Sequence, residues 1–249
     1  MRFAILALSS SHGPWRDLLK EGPEKTWLPE SHPAHYAKII AEKHGFFDSF
    51  LNQVFNSRYS EKLWRTRPIK LNEISCLRIN EDELVVNLSE NWTNLVAKCL
   101  KGFEYALDNW EFDYLIRINS TAYVDVEALS RYLKDFGLPD YAGPMMAKKS
   151  FISGWAIILS KRALKILVNT EEQEMIFDDE FVGKTLERHG IFPTEIPYIE
   201  VNNYKKLFDI IKTDCKDIAL WRFKSLNNLN TRDDANLMNS FHRQRSHNE

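Results

Sequence analysis

Cysteine, glycine and long apolar runs are scarce in this chain, and each scarcity excludes something. The cysteines are three, Cys76, Cys99 and Cys215, far apart in sequence. They form no CxxC pair and no zinc-type spacing, so they read as reduced thiols of a cytosolic protein. No sign of charge dominates: 33 Lys and Arg stand against 35 Asp and Glu, for a formal net charge of -2. A global basic field for nucleic acid is thereby excluded, though a local basic patch is not. The N-terminus has one apolar run, Phe3–Leu8. It is too short for a membrane span and at the low edge of a signal-peptide core, and a buried first strand explains it as well. The 9 glycines supply no GxGxxG after that run, because Ser9-Ser10-Ser11-His12-Gly13 lacks them. This counts against a nucleotide-dependent oxidoreductase. His12, His32, His35, His44 and His189 form no ligand spacing.

What is present is an alternation of strand and helix signals. With 44% hydrophobic residues in 249, the chain has enough apolar surface for a core. Residues 2–10 read as a buried parallel strand ending in small polar residues. Residues 11–33 carry Gly13, Pro14, Gly22, Pro23, Pro29 and Pro33 and read as loop. Residues 35–58 read as mostly helical, with Gly45 as a candidate break, and Phe46, Phe47, Phe50, Leu51, Val54 and Phe55 recur at helical spacing so that one face packs inward. A short strand follows at 84–88, and the clearest helix spans 91–109. Strands are expected at 114–118, 141–143 and 153–160, and helices at 125–136, 161–169 and 178–190. Residues 1–226 are thus one α/β domain, and 227–249 a polar, loosely held tail.

Three stretches carry candidate chemistry. The first is the strand Tyr114–Ile118 running into Asn119, Ser120 and Thr121. Side chains at the carboxyl end of a central strand face a ligand mouth, although a turn with a helix cap explains the same residues. The second is Ser153-Gly154-Trp155 before a buried strand. The glycine permits close approach and the indole offers a face to a sugar ring; a core tryptophan at a strand bend is the plain alternative. The third is Asp178-Asp179-Glu180 at a helix start. Capping and the helix dipole account for part of it, and adjacent acids beside a cleft can also hold a general base.

The order of these stretches resembles the β1,3-galactosyltransferase and Fringe-like group of GT-A glycosyltransferases. That group has a strand leading to Asp-Asp-Asp-Val-Phe-Val, a Ser-Gly before a strand, and a Glu/Asp-Asp-Val-x-x-Gly helix start. Upstream it carries Tyr-x-Asn-Leu-Thr-x-Lys, matched here by Trp92-Thr93-Asn94-Leu95-Val96-Ala97-Lys98. Thr26-Trp27 is similar to its Thr-Trp, and Trp221-Arg222-Phe223-Lys224 to its closing His-Tyr-Arg-x-Lys. The match is good from about 80 to 193 and weak outside. The resemblance implies a single-domain GT-A (Rossmann-like) α/β fold, with a mostly parallel central sheet flanked by helices. It implies an inverting hexosyltransferase, Asp179 as base supported by Asp178, and a UDP-sugar donor and glycan acceptor as partners.

The departure from the group lies at its metal site. Asn119, Ser120 and Thr121 stand where the group has its acidic triplet, and Leu220 where it has a metal-binding histidine. None supplies a charged oxygen, so no divalent metal or other cofactor is expected. The charge on the departing diphosphate then falls to fixed donors: Lys98, Arg117, Arg222 and Lys224, with Asn119, Ser120 and Thr121. Ser9 and Ser10 would cradle the base and ribose, and Gly154 and Trp155 would line the acceptor side. A catalytically silent sugar-nucleotide or glycan-binding protein on the same fold is the competing reading. Without the N-terminal anchor of Golgi members, the chain reads as a soluble, cytoplasmic bacterial or viral enzyme, for which contact with a membrane bearing a lipid-linked acceptor stays open.

Overall fold

Strand β1 (Phe3–Leu8) is apolar on both faces. Phe3, Ile5 and Ala7 enter one hydrophobic cluster while Ala4 and Leu6 enter another, so the strand lies in the middle of a layered structure. The computed structural model describes residues 1–11, 13–44, 74–80, 82–90, 94–145, 150–170, 177–212, 215, 217–225 and 232–246. Within them follow strands β2 (His35–His44), β3 (Cys76–Asn80), β4 (Glu83–Glu90), β5 (Tyr114–Ile118), β6 (Ala122–Val124), β7 (Tyr141–Gly143), β8 (Ala156–Ser160), β9 (Thr194–Glu195), β10 (Tyr198–Val201) and β11 (Leu220–Phe223).

Eight of these form one sheet in the order β3-β4-β2-β1-β5-β8-β7-β9. Its centre, β4-β2-β1-β5, is parallel, while β3–β4, β5–β8 and β7–β8 pair antiparallel. The other three make a small sheet, β10-β11-β6. This is the α/β architecture expected from the sequence. Helices α1 (Pro14–Glu21), α2 (Trp27–Glu30), α3 (Leu95–Asn109), α4 (Val126–Asp135), α5 (Lys161–Val168), α6 (Asp178–Arg188), α7 (Tyr204–Ile211) and α8 (Asp234–Ser246), with a 3-10 turn at Pro23–Lys25, complete the described elements. None is long and apolar enough to cross a membrane.

Apolar burial explains where the helices lie. Helix α3 sets Val96, Cys99, Leu100, Phe103 and Ala106 on one face of the sheet, joined there by α5 and α6. It approaches closely because of Gly102: a Cβ there would stand 2.6 Å from Leu6 Cδ2 and 2.8 Å from Ile39 Cδ1. The opposite face is covered by α4, the small sheet and α8.

Three sequence expectations are corrected. Strand β2 replaces the helix expected over 35–58 as far as His44, and the rest of that range lies outside the described residues. In β2, Ala37, Ile39 and Ala41 alternate onto the cluster under α3, a period of two that the helical spacing of 46–55 overshadowed. Residues 11–33 are not plain loop. Pro14 begins α1, where its missing N–H costs nothing, and Gly22 is the C-cap. The polar tail contains α8, whose Leu237, Met238 and Phe241 are 1%, 0% and 4% exposed. Phe241 packs its ring against Tyr123, Trp221 and Phe223 at 5.1, 4.5 and 5.5 Å. Three apolar side chains at i, i+1 and i+4 suffice to bind a helix whose other residues are polar.

Candidate active site

Beyond Ile118 the chain turns through Asn119, Ser120 and Thr121 into β6. Asn119 Oδ1 accepts from the Thr121 N–H at 2.9 Å and from the Thr121 hydroxyl at 2.7 Å. That bonding is the reason for the residue types: a short amide side chain caps its own turn. The Asn119 N–H donates to the Trp155 carbonyl at 3.2 Å, which ties the turn to the start of β8. Ser120 and Thr121 are each 2% exposed. Ser120 Oγ has no hydrogen-bond partner among the described residues. An unpaired buried hydroxyl costs stability, and this one lies at the carboxyl end of a central parallel strand, where open α/β sheets take ligands.

The small sheet brings two cations to this turn. Arg222 pairs in register with Ala122, and the Phe223 N–H donates to the Thr121 carbonyl at 2.9 Å. Arg222 Nη1 reaches Glu200 at 3.3 Å, and its buried Nε has no partner among the described residues. Lys224 is exposed, with its N–H on the Val201 carbonyl at 2.9 Å. The turn is braced from behind by Trp27, whose Nε1 donates to the Ala122 carbonyl at 2.9 Å.

The acidic cluster is divided by its surroundings. The N-cap of α6 is Phe177, which offers no side-chain acceptor, so none of the three acids is there as the cap. Asp178 is 4% exposed and forms an ion pair with Arg117 of β5, itself 3% exposed. Burial pushes the Asp178 carboxyl up, against the pull of Arg117. Cys99 Sγ lies 3.8 Å from the same Asp178 oxygen, and burial pushes its thiol up to about 12. Glu180 pairs with Lys184. Asp179 is held by backbone amides of two segments: Oδ2 accepts from the Gly154 N–H at 3.0 Å and Oδ1 from the Glu180 N–H at 2.9 Å. It is partly exposed, and the Gly154–Trp155 segment joins it to the Asn119 turn.

At the end of β1, Ser9 and Ser10 are 5% and 9% exposed. Lys98 from α3 donates to the Ser9 carbonyl and to both oxygens of Glu90, at 2.8 and 3.1 Å. Its burial lowers the ammonium against the pull of Glu90. Lys98 is a strut that joins β1, β4 and α3.

The structure therefore gathers Asn119, Ser120, Thr121, Gly154, Asp179, Arg222 and Lys224 around one end of β5. Lys98, Arg117 and Asp178 lie deeper, committed to Glu90 and to each other. The Trp155 ring is 2% exposed and belongs to the core, so it has no free face for a sugar. The aromatic beside it at the surface is Tyr198, 5.4 Å away ring to ring. Sequence reasoning passed over Tyr198, Glu90 and Glu200. No spacing rule points to the last two, which matter only because folding sets them beside Lys98 and Arg222.

The metal site of the resembled group does not fit here. The turn holds no carboxylate, and Asn119 Oδ1 is already taken by Thr121. Leu220 is wholly buried. Among the described residues no group of three or more His, Cys, Asp or Glu could hold a metal ion.

No family model matches the chain, and no curated protein matches it. Among solved structures, a galactosyltransferase LgtC in complex with donor and acceptor sugar analogs is similar at 9% identity and TM-score 0.44, over 96% of this chain and 95% of that one. A glycosyltransferase involved in the glycosylation of the major capsid of PBCV-1 is similar at 12% identity and TM-score 0.43, over 95% and 99%. The inositol-1-phosphate CTP transferase from T. maritima is similar at 9% identity and TM-score 0.46, over 96% of each chain. Likenesses this distant leave the functional reading to the site's own residues.

Proposed function

We propose that the chain is an inverting, metal-independent glycosyltransferase of hexosyl type, which moves a sugar from a nucleotide diphosphate, UDP first among candidates, to a glycan hydroxyl. One observation carries the reading. Among the described residues Asp179 is the acid of its cluster without an ion-pair partner, held by two backbone amides at the edge of a turn that faces the carboxyl end of β5. A carboxylate so fixed can take the proton of an acceptor hydroxyl. The acceptor oxygen then bonds to the anomeric carbon as the bond from that carbon to the diphosphate oxygen breaks on the opposite face. The diphosphate leaves with the bonding pair. Arg222, Lys224 and the Ser120 hydroxyl are the donors that receive its charge, and Ser9 and Ser10 border the nucleotide. Tyr198 takes the acceptor-side role that the buried Trp155 ring cannot.

The neutral Asn119–Ser120–Thr121 turn favours a second reading, a sugar-nucleotide or glycan-binding protein without catalysis. Calorimetric titration with UDP, UDP-sugars and GDP-sugars, in EDTA and then with Mn²⁺, separates them when followed by UDP release in the presence of oligosaccharide acceptors. Donor binding that survives EDTA and ignores Mn²⁺ is expected. Asp179→Asn should keep donor affinity and lose transfer by about 10²- to 10⁴-fold. Full activity in Asp179→Asn would remove the base assignment, and binding without any turnover would favour the silent protein. Absence of binding to every nucleotide sugar would refute both readings.

A further inference from the structure

Arg117 is an expensive residue where it stands. It projects from β5, which is paired on both sides, and is 3% exposed. Its Nη2 meets Asp178, yet Nε and Nη1 have no hydrogen-bond partner among the described residues. A buried ion pair with donors left over is a poor device for stability, since a well-packed apolar pair does as well or better. Geometry explains it better. Asp178 is the first residue of α6, and Asp179 is the second. Anchoring Asp178 to a strand paired on both sides fixes where α6 begins, and hence where Asp179 meets the Gly154 N–H at 3.0 Å. That contact leaves little slack: a Cβ on Gly154 would lie 3.1 Å from Asp179 Oδ2 and 3.3 Å from its Cβ and Cγ.

We infer that Arg117 is a positioning residue which, through Asp178, fixes the start of α6 and so holds the Asp179 carboxylate on the Gly154 amide. The role in turnover rests on the proposal that Asp179 is the acceptor base; the positioning itself does not.

The test reads the Gly154 amide directly. Selective [¹⁵N]glycine labelling gives one signal for each of 9 glycines. That of Gly154 is the one lost in Gly154→Ala, and the Gly102 signal, from a close-packed helix, reports an intact fold. Asp179→Asn marks the displacement caused by weakening the hydrogen bond. The apolar double variant Arg117→Met/Asp178→Leu should fold and leave Gly102 unmoved, while its Gly154 signal moves as far as in Asp179→Asn. Asp178→Asn, which still accepts from Arg117, should retain most of the wild-type position. In UDP-sugar transfer, the double variant should lose about tenfold or more in kcat with donor KM unchanged. Arg117→Met alone is measured alongside. A wild-type Gly154 signal in the folded double variant, or in folded Arg117→Met, overturns the inference; if neither of these two folds, the pair serves folding and the positioning role is likewise overturned. A wild-type chain that transfers no sugar would remove the proposed function, while the Gly154 signal would still decide what Arg117 does.

Discussion

Phe241→Ala tests whether the C-terminal helix belongs to the core. Phe241 is 4% exposed and meets three aromatic rings, of which Trp221 and Phe223 lie on β11 and Tyr123 on β6. Truncating a buried phenylalanine to alanine costs about 3–5 kcal/mol, the loss of transfer energy plus a cavity that the rings cannot fully close. Against a total of about 5–15 kcal/mol for a domain, that is a large share. For a chain of this size it lowers Tm by about 6–20 °C. Urea unfolding followed by tryptophan fluorescence reads the loss, because Trp221 sits in the perturbed cluster. The same variant should weaken UDP binding, since β11 carries Arg222 and its Phe223 amide holds the Thr121 carbonyl. A loss under about 1 kcal/mol would refute the packing of residues 234–246 on the core, because an exposed phenylalanine is truncated at that cost.

Other variants probe other contacts. Gly102→Ala should cost about 1–3 kcal/mol in urea unfolding, since its Cβ falls 2.6 Å from Leu6 Cδ2. Gly154→Ala should fold normally and lower transfer roughly tenfold, by moving Asp179 a few tenths of an ångström; unchanged turnover would show that this contact does not set the rate. Cys99 provides a pH dependence. Its thiol is pushed from 9.0 to about 12, so above pH 9 the unfolded chain loses a proton that the folded one keeps. Stability should then fall with rising pH, by up to ~1.4 kcal/mol per unit from this group, with Cys76, pushed up to about 11, adding to it. Cys99→Ala should flatten the slope of the urea midpoint between pH 9 and 10.5, and an unaltered slope would contradict the burial of the thiol beside Asp178.

Local pattern determined a good deal by itself. The two-faced apolar runs of β1 and β5 read as central strands and the stripe on Leu95–Asn109 as a helix against the sheet. The sequence also placed Asn119–Thr121 at a strand end and Asp178–Asp179 at a helix start, because turn and helix signals are short-range. Only the tertiary structure decided which charges are free. Arg117 and Lys98 are expected from sequence to face the diphosphate and Asp178 to support the base; folding pairs them out of reach, with partners 61 residues away for Arg117 and 8 for Lys98. The same holds for the tail, where Leu237, Met238 and Phe241 are too few to stand out among polar neighbours until the aromatic pocket of β6 and β11 receives them. Periodicity records which way a side chain faces, but the partner that waits there is set by packing between segments that sequence keeps apart.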